Sequence, residues 1–227
     1  KKGKIDLVTD ADIAAQKKVI SVLSKTFPKD EFLAEESAKK DFVGKRVWII
    51  DPLDGTTNFA HSFEWFATSI GLMVDNEPFV GVVFDPIRNH LYVTQKSKGA
   101  FLNGKQIFVS KNSVLIDSLI ATGFPCDSGI IAQNTVKSIG NLVGECQGVR
   151  RAGSAALDLM LVARGAFDGF FEYKLFPWDV CAGVLAVREA GGKVTDFFGK
   201  ESKVFDSHFV ATNGLVHEEL LKKLIKP

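Results

Sequence analysis

The sequence predicts a mixed α and β protein with layered sheets and helices, an α+β or α/β class. Three observations carry this. A chain of 227 residues with 46% hydrophobic content supports one substantial core, or two closely joined halves, without disulfides. Between residues 65 and 109, short β-rich runs recur between turn residues, the pattern of an antiparallel sheet. From Leu115 onward, strand-like runs alternate with helical ones.

Residues 11–27 read as the first helix, because Ile13, Ile20, Leu23 and Phe27 recur at helical spacing with Lys17, Lys18, Ser21 and Lys25 between them. Thr9 or Asp10 serves as its cap. Asp12 falls in the first turn, where the helix dipole favours a carboxylate. Pro28 to Asp30 end the helix, and Phe32-Leu33-Ala34 runs into Glu35-Glu36, a pair that alone reads as a solvated patch. Residues 47–50 form a short apolar run suited to a buried strand, expected to end at Asp51 because Pro52 lacks an N–H. Asp54 follows, and Gly55-Thr56-Thr57 lets the backbone approach a ligand and turn free N–H groups toward it. Two carboxylates beside phosphate-binding amides need a cation between them and the phosphate. An oxygen-only donor set with room for water favours Mg²⁺. In isolation, Asp-Pro and Asp-Gly are also ordinary turn formers.

Four β runs come next, at 65–74, 78–84, 91–94 and 99–109, with Asn103-Gly104 as a hairpin turn signal. Arg88, His90 and Lys98 in the intervening turns read as surface residues. A boundary near Asn112-Ser113 divides an α+β half, 1–113, from an α/β half, 114–227, without a flexible linker. The second half reads as a strand at 118–122, a helix at 130–143, a helix at 154–163 capped by Ser154, and a strand at 167–173 carrying Glu172. A helix then runs from Trp178 to Ala190 with Asp179 as its expected N-cap and Gly191-Gly192 as its close. Arg150-Arg151 suits phosphate binding or an exposed edge strand equally. Residues 193–196, 209–212 and a helix at 215–225 complete the chain.

The formal net charge of +1, from 28 basic and 27 acidic residues without like-charge blocks, gives no case for nucleic-acid or membrane-surface binding. The expected partner is a small molecule. Cys126, Cys146 and Cys181 read as free thiols of a reducing compartment. His61, His90, His208 and His217 lack zinc-ligand spacing. No signal-peptide pattern and no bilayer-length apolar run is present, so a cytoplasmic protein is expected. The chain begins at Lys1 without a methionine, and a further N-terminal piece is expected before it.

Asp51-Pro52-Leu53-Asp54-Gly55-Thr56-Thr57-Asn58-Phe59 resembles the signature of the inositol monophosphatase family, metal-dependent and lithium-sensitive phosphomonoesterases. The resemblance extends to Asp6-Leu7-Val8-Thr9 with Asp12, to Glu35-Glu36-Ser37, and to Trp178-Asp179-Val180-Cys181-Ala182-Gly183 with Glu189-Ala190-Gly191-Gly192. It implies the five-layer αβαβα sugar-phosphatase fold, a helix preceding Lys1 and a homodimer. It also implies that Asp51 bridges two Mg²⁺ ions, with Glu35 and the Leu53 carbonyl on one, Asp54 and Asp179 on the other, and a third, weaker ion near Glu35. Asp12 and Thr56 would orient the attacking water, so Asp12, Thr56 and Glu35 are the expected catalytic residues. Amides of Gly55 and Thr56 would hold phosphate. Gly153, Ser154, Ala155, Glu172 and Asp179 complete the implied substrate-binding set, with Glu172 at the family's offset for contact with inositol hydroxyls. Ala34 departs from the family, which commonly has glycine there.

The implied activity is Mg²⁺-dependent hydrolysis of a phosphate monoester, foremost myo-inositol monophosphate. Fructose 1,6-bisphosphate, histidinol phosphate or a nucleotide 3′-phosphate are the alternatives within sister phosphatases. A non-catalytic metal-binding interaction module is disfavoured by the joint retention of Asp12, Glu35, Asp51, Asp54, Thr56 and Asp179.

Overall fold

A computed structural model describes residues 9–37, 45–125 and 129–227. Asp6, Leu7, Val8 and Cys126, used above, lie outside them.

The first helix, α1 (Asp10–Thr26), starts at Thr9 and is followed by β1 (Glu31–Ala34), β2 (Arg46–Asp54) and the short α2 (Thr56–Ala60). Five strands complete the first sheet: β3 (Ala67–Val74), β4 (Glu77–Asp85), β5 (His90–Gln95), β6 (Gly99–Leu102) and β7 (Lys105–Ile107). The seven strands lie side by side in chain order; β1 and β2 are parallel and the other neighbours antiparallel. Tight hairpins dictate this order. At Asn103-Gly104 both residues have positive φ, 48° and 78°, as a two-residue turn matched to strand twist requires.

The second sheet is built from β8 (Leu119–Thr122), β9 (Gly148–Arg150), β10 (Gly169–Tyr173), β11 (Lys193–Thr195) and β12 (His208–Thr212). Between these strands and after them come α3 (Ile130–Leu142), α4 (Ala155–Ala163), α5 (Pro177–Glu189) and α6 (His217–Lys223). The strand order is β11-β12-β10-β8-β9, with β8 parallel to both β9 and β10 and β12 antiparallel to its neighbours.

Side-chain alternation defines the layers. On β2, Val47 and Ile49 pack toward Cys181 of α5, whereas Trp48 and Ile50 pack toward Val19, Ile20 and Leu23 of α1. On β10, Phe170 faces the core of α4 and α5, whereas Phe171 and Tyr173 face Leu142 of α3 and Leu220 of α6. The helices α4 and α5 pack on each other between the two sheets. All of α4 and residues 180–187 of α5 are buried, which explains why both are apolar on nearly every side, Asp158 of α4 being the exception. The result is α1, sheet, α4 with α5, sheet, α3 with α6: the five-layer αβαβα order. No helix among the described residues is long and apolar enough to cross a membrane.

The expected run 99–109 divides into β6 and β7, the last helix is shorter than 215–225, and several other ends shift by one or two residues; two differences bear on the site. Strand β2 continues past Asp51 to Asp54, because Pro52 and Leu53 form a bulge opposite Thr68, between the pairs Asp51–Ser69 and Asp54–Ala67. Proline is tolerated there since pairing with β1 has stopped at Ile50. Helix α5 starts earlier than expected, with Phe176 as N-cap and Pro177 in its first turn, so Asp179 is the third helical residue and not the cap.

Candidate active site

The end of β2 delivers Asp51 and Asp54 to the joint between the sheets. Asp51 is buried, and its Oδ1 accepts the Leu53 N–H at 3.0 Å across the bulge. Asp54 Oδ2 accepts from Ser154 Oγ at 2.6 Å and from Ala156 N at 2.7 Å, so the opening of α4 is fastened to this carboxylate. Ser154 is also the α4 N-cap, accepting from Leu157 N. Asp179, one turn into α5, receives the Phe176 N–H at 2.7 Å. Each of these three carboxylates thus has one oxygen anchored by the protein's own donors. Glu35 sits in the turn immediately after β1.

Asp12 is fully buried. Its Oδ2 accepts from Thr9 N at 2.8 Å and Thr9 Oγ1 at 2.5 Å, while Oδ1 accepts from Thr56 Oγ1 at 3.0 Å. The helix-start bonds and a bond to the Thr56 hydroxyl coexist in one side chain. The Thr56 hydroxyl is also 3.0 Å from the Leu53 carbonyl, and its single proton serves one of the two.

Burial pushes the Asp51 carboxyl well above the ordinary range, and the charges of Asp54, Glu35 and Asp179 push it further. Asp179 is raised in the same way, first by burial and then by Asp54. Burial takes Asp54 to about 6 despite the donors from Ser154 and Ala156. A positive charge placed among these acids would favour their ionised forms. No three acidic, His or Cys side chains among the described residues form a closed coordination shell. The side chains expected there are nonetheless all oxygen donors, and the charges of Asp54, Glu35 and Asp179 act on Asp51, a chemistry that suits a hard cation.

Glu172, next to last in β10, lies over Gly123 just past the parallel strand β8. Burial, then Asp54, raises its carboxyl to about 8, and Arg151 acts in the opposite sense. Gly153 and Ala155 flank Ser154 at the start of α4, and Gly55 caps α2 at φ 93°. The expected site residues are carried by the turn after β1, the bulge of β2, the starts of α1, α2, α4 and α5, and the end of β10. Arg88 serves structure instead: its guanidinium lies over Trp65 and pairs with Asp85.

Two residues escaped the sequence reading. Asp158, on α4, is fully buried with neither carboxylate oxygen hydrogen-bonded among the described residues. Burial raises its carboxyl well above the usual range, with Glu172 and Asp54 adding to the effect. The available signal was a lone acid in the apolar run Ala155-Ala156-Leu157-Asp158-Leu159-Met160. Asn58 lies inside the signature but was given no task, and its amide bridges to residues 65, 152 and 153. A surface cavity of about 450 Å³ lined by Asp196, Lys200 and His208 includes none of the site residues.

Comparison with known proteins identifies the family. The model of the inositol monophosphatase family matches residues 1–226. The chain is 42% identical over 224 residues to Nus factor SuhB of Escherichia coli (strain K12), covering 98% of this chain and 84% of that protein. It is 43% identical over 220 residues to the inositol-1-monophosphatase of Synechocystis sp., covering 96% of this chain and 77% of that one. The crystal structure of extragenic suppressor protein suhB from Bartonella henselae superposes with a TM-score of 0.93 at 41% identity, covering 99% of this chain and 87% of that one. With the layer order, the signature and these relatives in agreement, the chain belongs to the inositol monophosphatase family.

Proposed function

We propose that this protein hydrolyses a phosphate monoester with Mg²⁺ as its metal, and that inositol monophosphate is its preferred substrate. What supports the proposal is the Thr56–Asp12 hydrogen bond of 3.0 Å just past the end of β2, together with the charges of Asp54, Glu35 and Asp179 that all act on the buried Asp51 carboxyl. Glu35, Asp51 and the Leu53 carbonyl would hold one ion, and Asp51, Asp54 and Asp179 a second. When bound, the ions supply positive charge that offsets the phosphoryl oxygens and makes water a competent nucleophile near neutral pH.

The protein's own groups do the rest. The Leu53 carbonyl would be one of the groups holding a cation, and in that role it would not compete for the Thr56 proton, leaving Asp12 as the acceptor. The Thr56 oxygen is left as an acceptor, the role needed to aim a water O–H. Thr9 fixes Asp12 through two donors, so this acceptor is held in place before substrate arrives. Backbone amides of Gly55 and Thr56 and those of Gly153 and Ser154 in the turn before α4 would hold the phosphate, since the Ala156 and Leu157 amides are already engaged. Glu172 would hydrogen-bond to hydroxyl groups of the leaving alcohol. Support for inositol comes from Glu172 and from the name of the Synechocystis relative.

A second reading, a sister phosphatase for a bisphosphate, draws on Arg151, whose charge is felt at both Glu172 and Asp158. Phosphate release from inositol, sugar, histidinol and nucleotide phosphates, each with Mg²⁺, with Ca²⁺ and with excess chelator, separates the readings. Mg²⁺ should activate, Ca²⁺ should support little turnover because of its looser geometry, and inositol monophosphate should lead. Full activity in chelator refutes the metal mechanism, and a leading bisphosphate replaces the substrate reading with the second one.

A further inference from the structure

The site is assembled from two parts of the chain, and one side-chain amide joins them. Asn58 is 9% exposed, in the last turns of the signature segment. Its Nδ2 donates to Trp65 O at 2.7 Å and Ala152 O at 2.9 Å, with Gly153 O at 3.3 Å sharing a proton. The orientation of the amide is settled by these partners, since the reverse would set Oδ1 against three carbonyls. Around it the backbones are in direct contact. A Cβ on Gly55, which has φ +93°, would stand 2.9 Å from Trp65 O and 3.3 Å from Gly153 O. On Gly153, at φ +89°, it would stand 3.2 Å from the Asn58 amide.

We propose that Asn58 is a positioning residue for phosphate binding, locking the turn between β9 and α4 to the signature loop so that both present their donors to one phosphate. In a trans peptide the C=O and the following N–H point in opposite directions. Holding the carbonyls of Ala152 and Gly153 therefore fixes the directions of the N–H groups of Gly153 and Ser154. The next groups along, Ser154 Oγ and Ala156 N, are those that grip Asp54. This inference rests on the phosphatase reading, which it deepens.

The test uses Asn58→Ala and Asn58→Asp in the full protein, well below their unfolding temperatures. Inorganic phosphate with Mg²⁺ is the probe. Losing two donors to backbone carbonyls should lower kcat/KM and raise the Ki of phosphate by about tenfold or more. Asn58→Asp should be the worse of the two, because a carboxylate would face the carbonyls. Amide hydrogen exchange should accelerate at residues 152–157 and stay at the parent rate at 180–187. Parent-like Ki and exchange in folded variants overturn the proposal, and so does failure of both variants to fold, which makes the amide a folding contact. Should the parent release phosphate from no monoester, the phosphatase reading fails separately, while the exchange measurement still decides the role of Asn58.

Discussion

Glycine at position 123 sets where the Glu172 carboxylate lies, and Gly123→Ala tests this with a single methyl group. A Cβ there would stand 2.0 Å from Oε1, 2.1 Å from Cδ and 2.2 Å from Oε2 of Glu172. Ordinary contact begins at 3.4 Å, so the carboxylate has to retreat by more than about 1 Å. Position 123 does not have positive φ, so alanine adds no backbone strain. The displaced atoms form the free end of a flexible side chain, and the fold is expected to survive. What is lost is a hydrogen-bonding partner for substrate hydroxyls, a carboxyl that its raised pKa of about 8 keeps largely neutral at pH 7. A hydrogen bond between neutral groups contributes about 0.5–1.5 kcal/mol, a factor of roughly 2 to 13 in kcat/KM. That loss should fall on inositol monophosphate and spare an aryl phosphate that makes no such contact. The assay is the ratio of kcat/KM for the two substrates in the parent, Gly123→Ala, Glu172→Ala and the double variant. Because the methyl group acts through Glu172, the double variant should match Glu172→Ala alone. An unchanged ratio in Gly123→Ala, or additive losses in the double variant, refutes the argument.

Other outcomes follow from the same contacts. Asp51→Asn should reduce turnover to near background yet give a metal-free melting temperature equal to or above the parent's, since a buried acid opposed by three others is removed; activity within about threefold of the parent, under ~1 kcal/mol of barrier, would take Asp51 out of the mechanism. Ser154→Ala removes both the α4 cap and the 2.6 Å donor to Asp54, and urea titration should show about 1–2 kcal/mol lost. His217 is buried between Thr195 and Thr212, and burial lowers its imidazole from 6.5 to about 4. The unfolded chain takes up the proton first, so this contribution is complete above pH 6.5 and is lost as pH falls toward 4, by at most about 3 kcal/mol. His217→Gln should flatten that part of the stability–pH profile, and an unchanged slope in urea midpoints between pH 6.5 and 4 counts against it.

The signature residues Asp51, Asp54, Gly55 and Thr56 were readable because they are contiguous, and contiguity preserves in sequence what the bulge of β2 preserves in space. Asp12 and Asp179 each had a sufficient local explanation at a helix start, and both do make such bonds. Only tertiary packing brings them to the other acids. Gly123 and Asp158 had no legible role for the same reason: their significance is a neighbour, Glu172, on another strand. The layer order was anticipated through the resemblance, while the continuation of β2 through Pro52 was not, because a missing N–H matters only where a neighbour asks for it. The start of α5 was misplaced since proline stops a strand and begins a helix by the same fixed φ.

The bonds from Ser154 and Ala156 to Asp54 cross 100 and 102 residues of chain. A ribosome that has released the signature segment has made an acid cluster whose donors do not yet exist, and the nascent chain must keep it solvated until α4 and α5 emerge. In refolding, closures of this length are slow compared with the hairpins from β3 to β7. Catalytic competence should therefore return after circular dichroism has recovered most of its amplitude, making enzyme activity a late clock for the completion of folding.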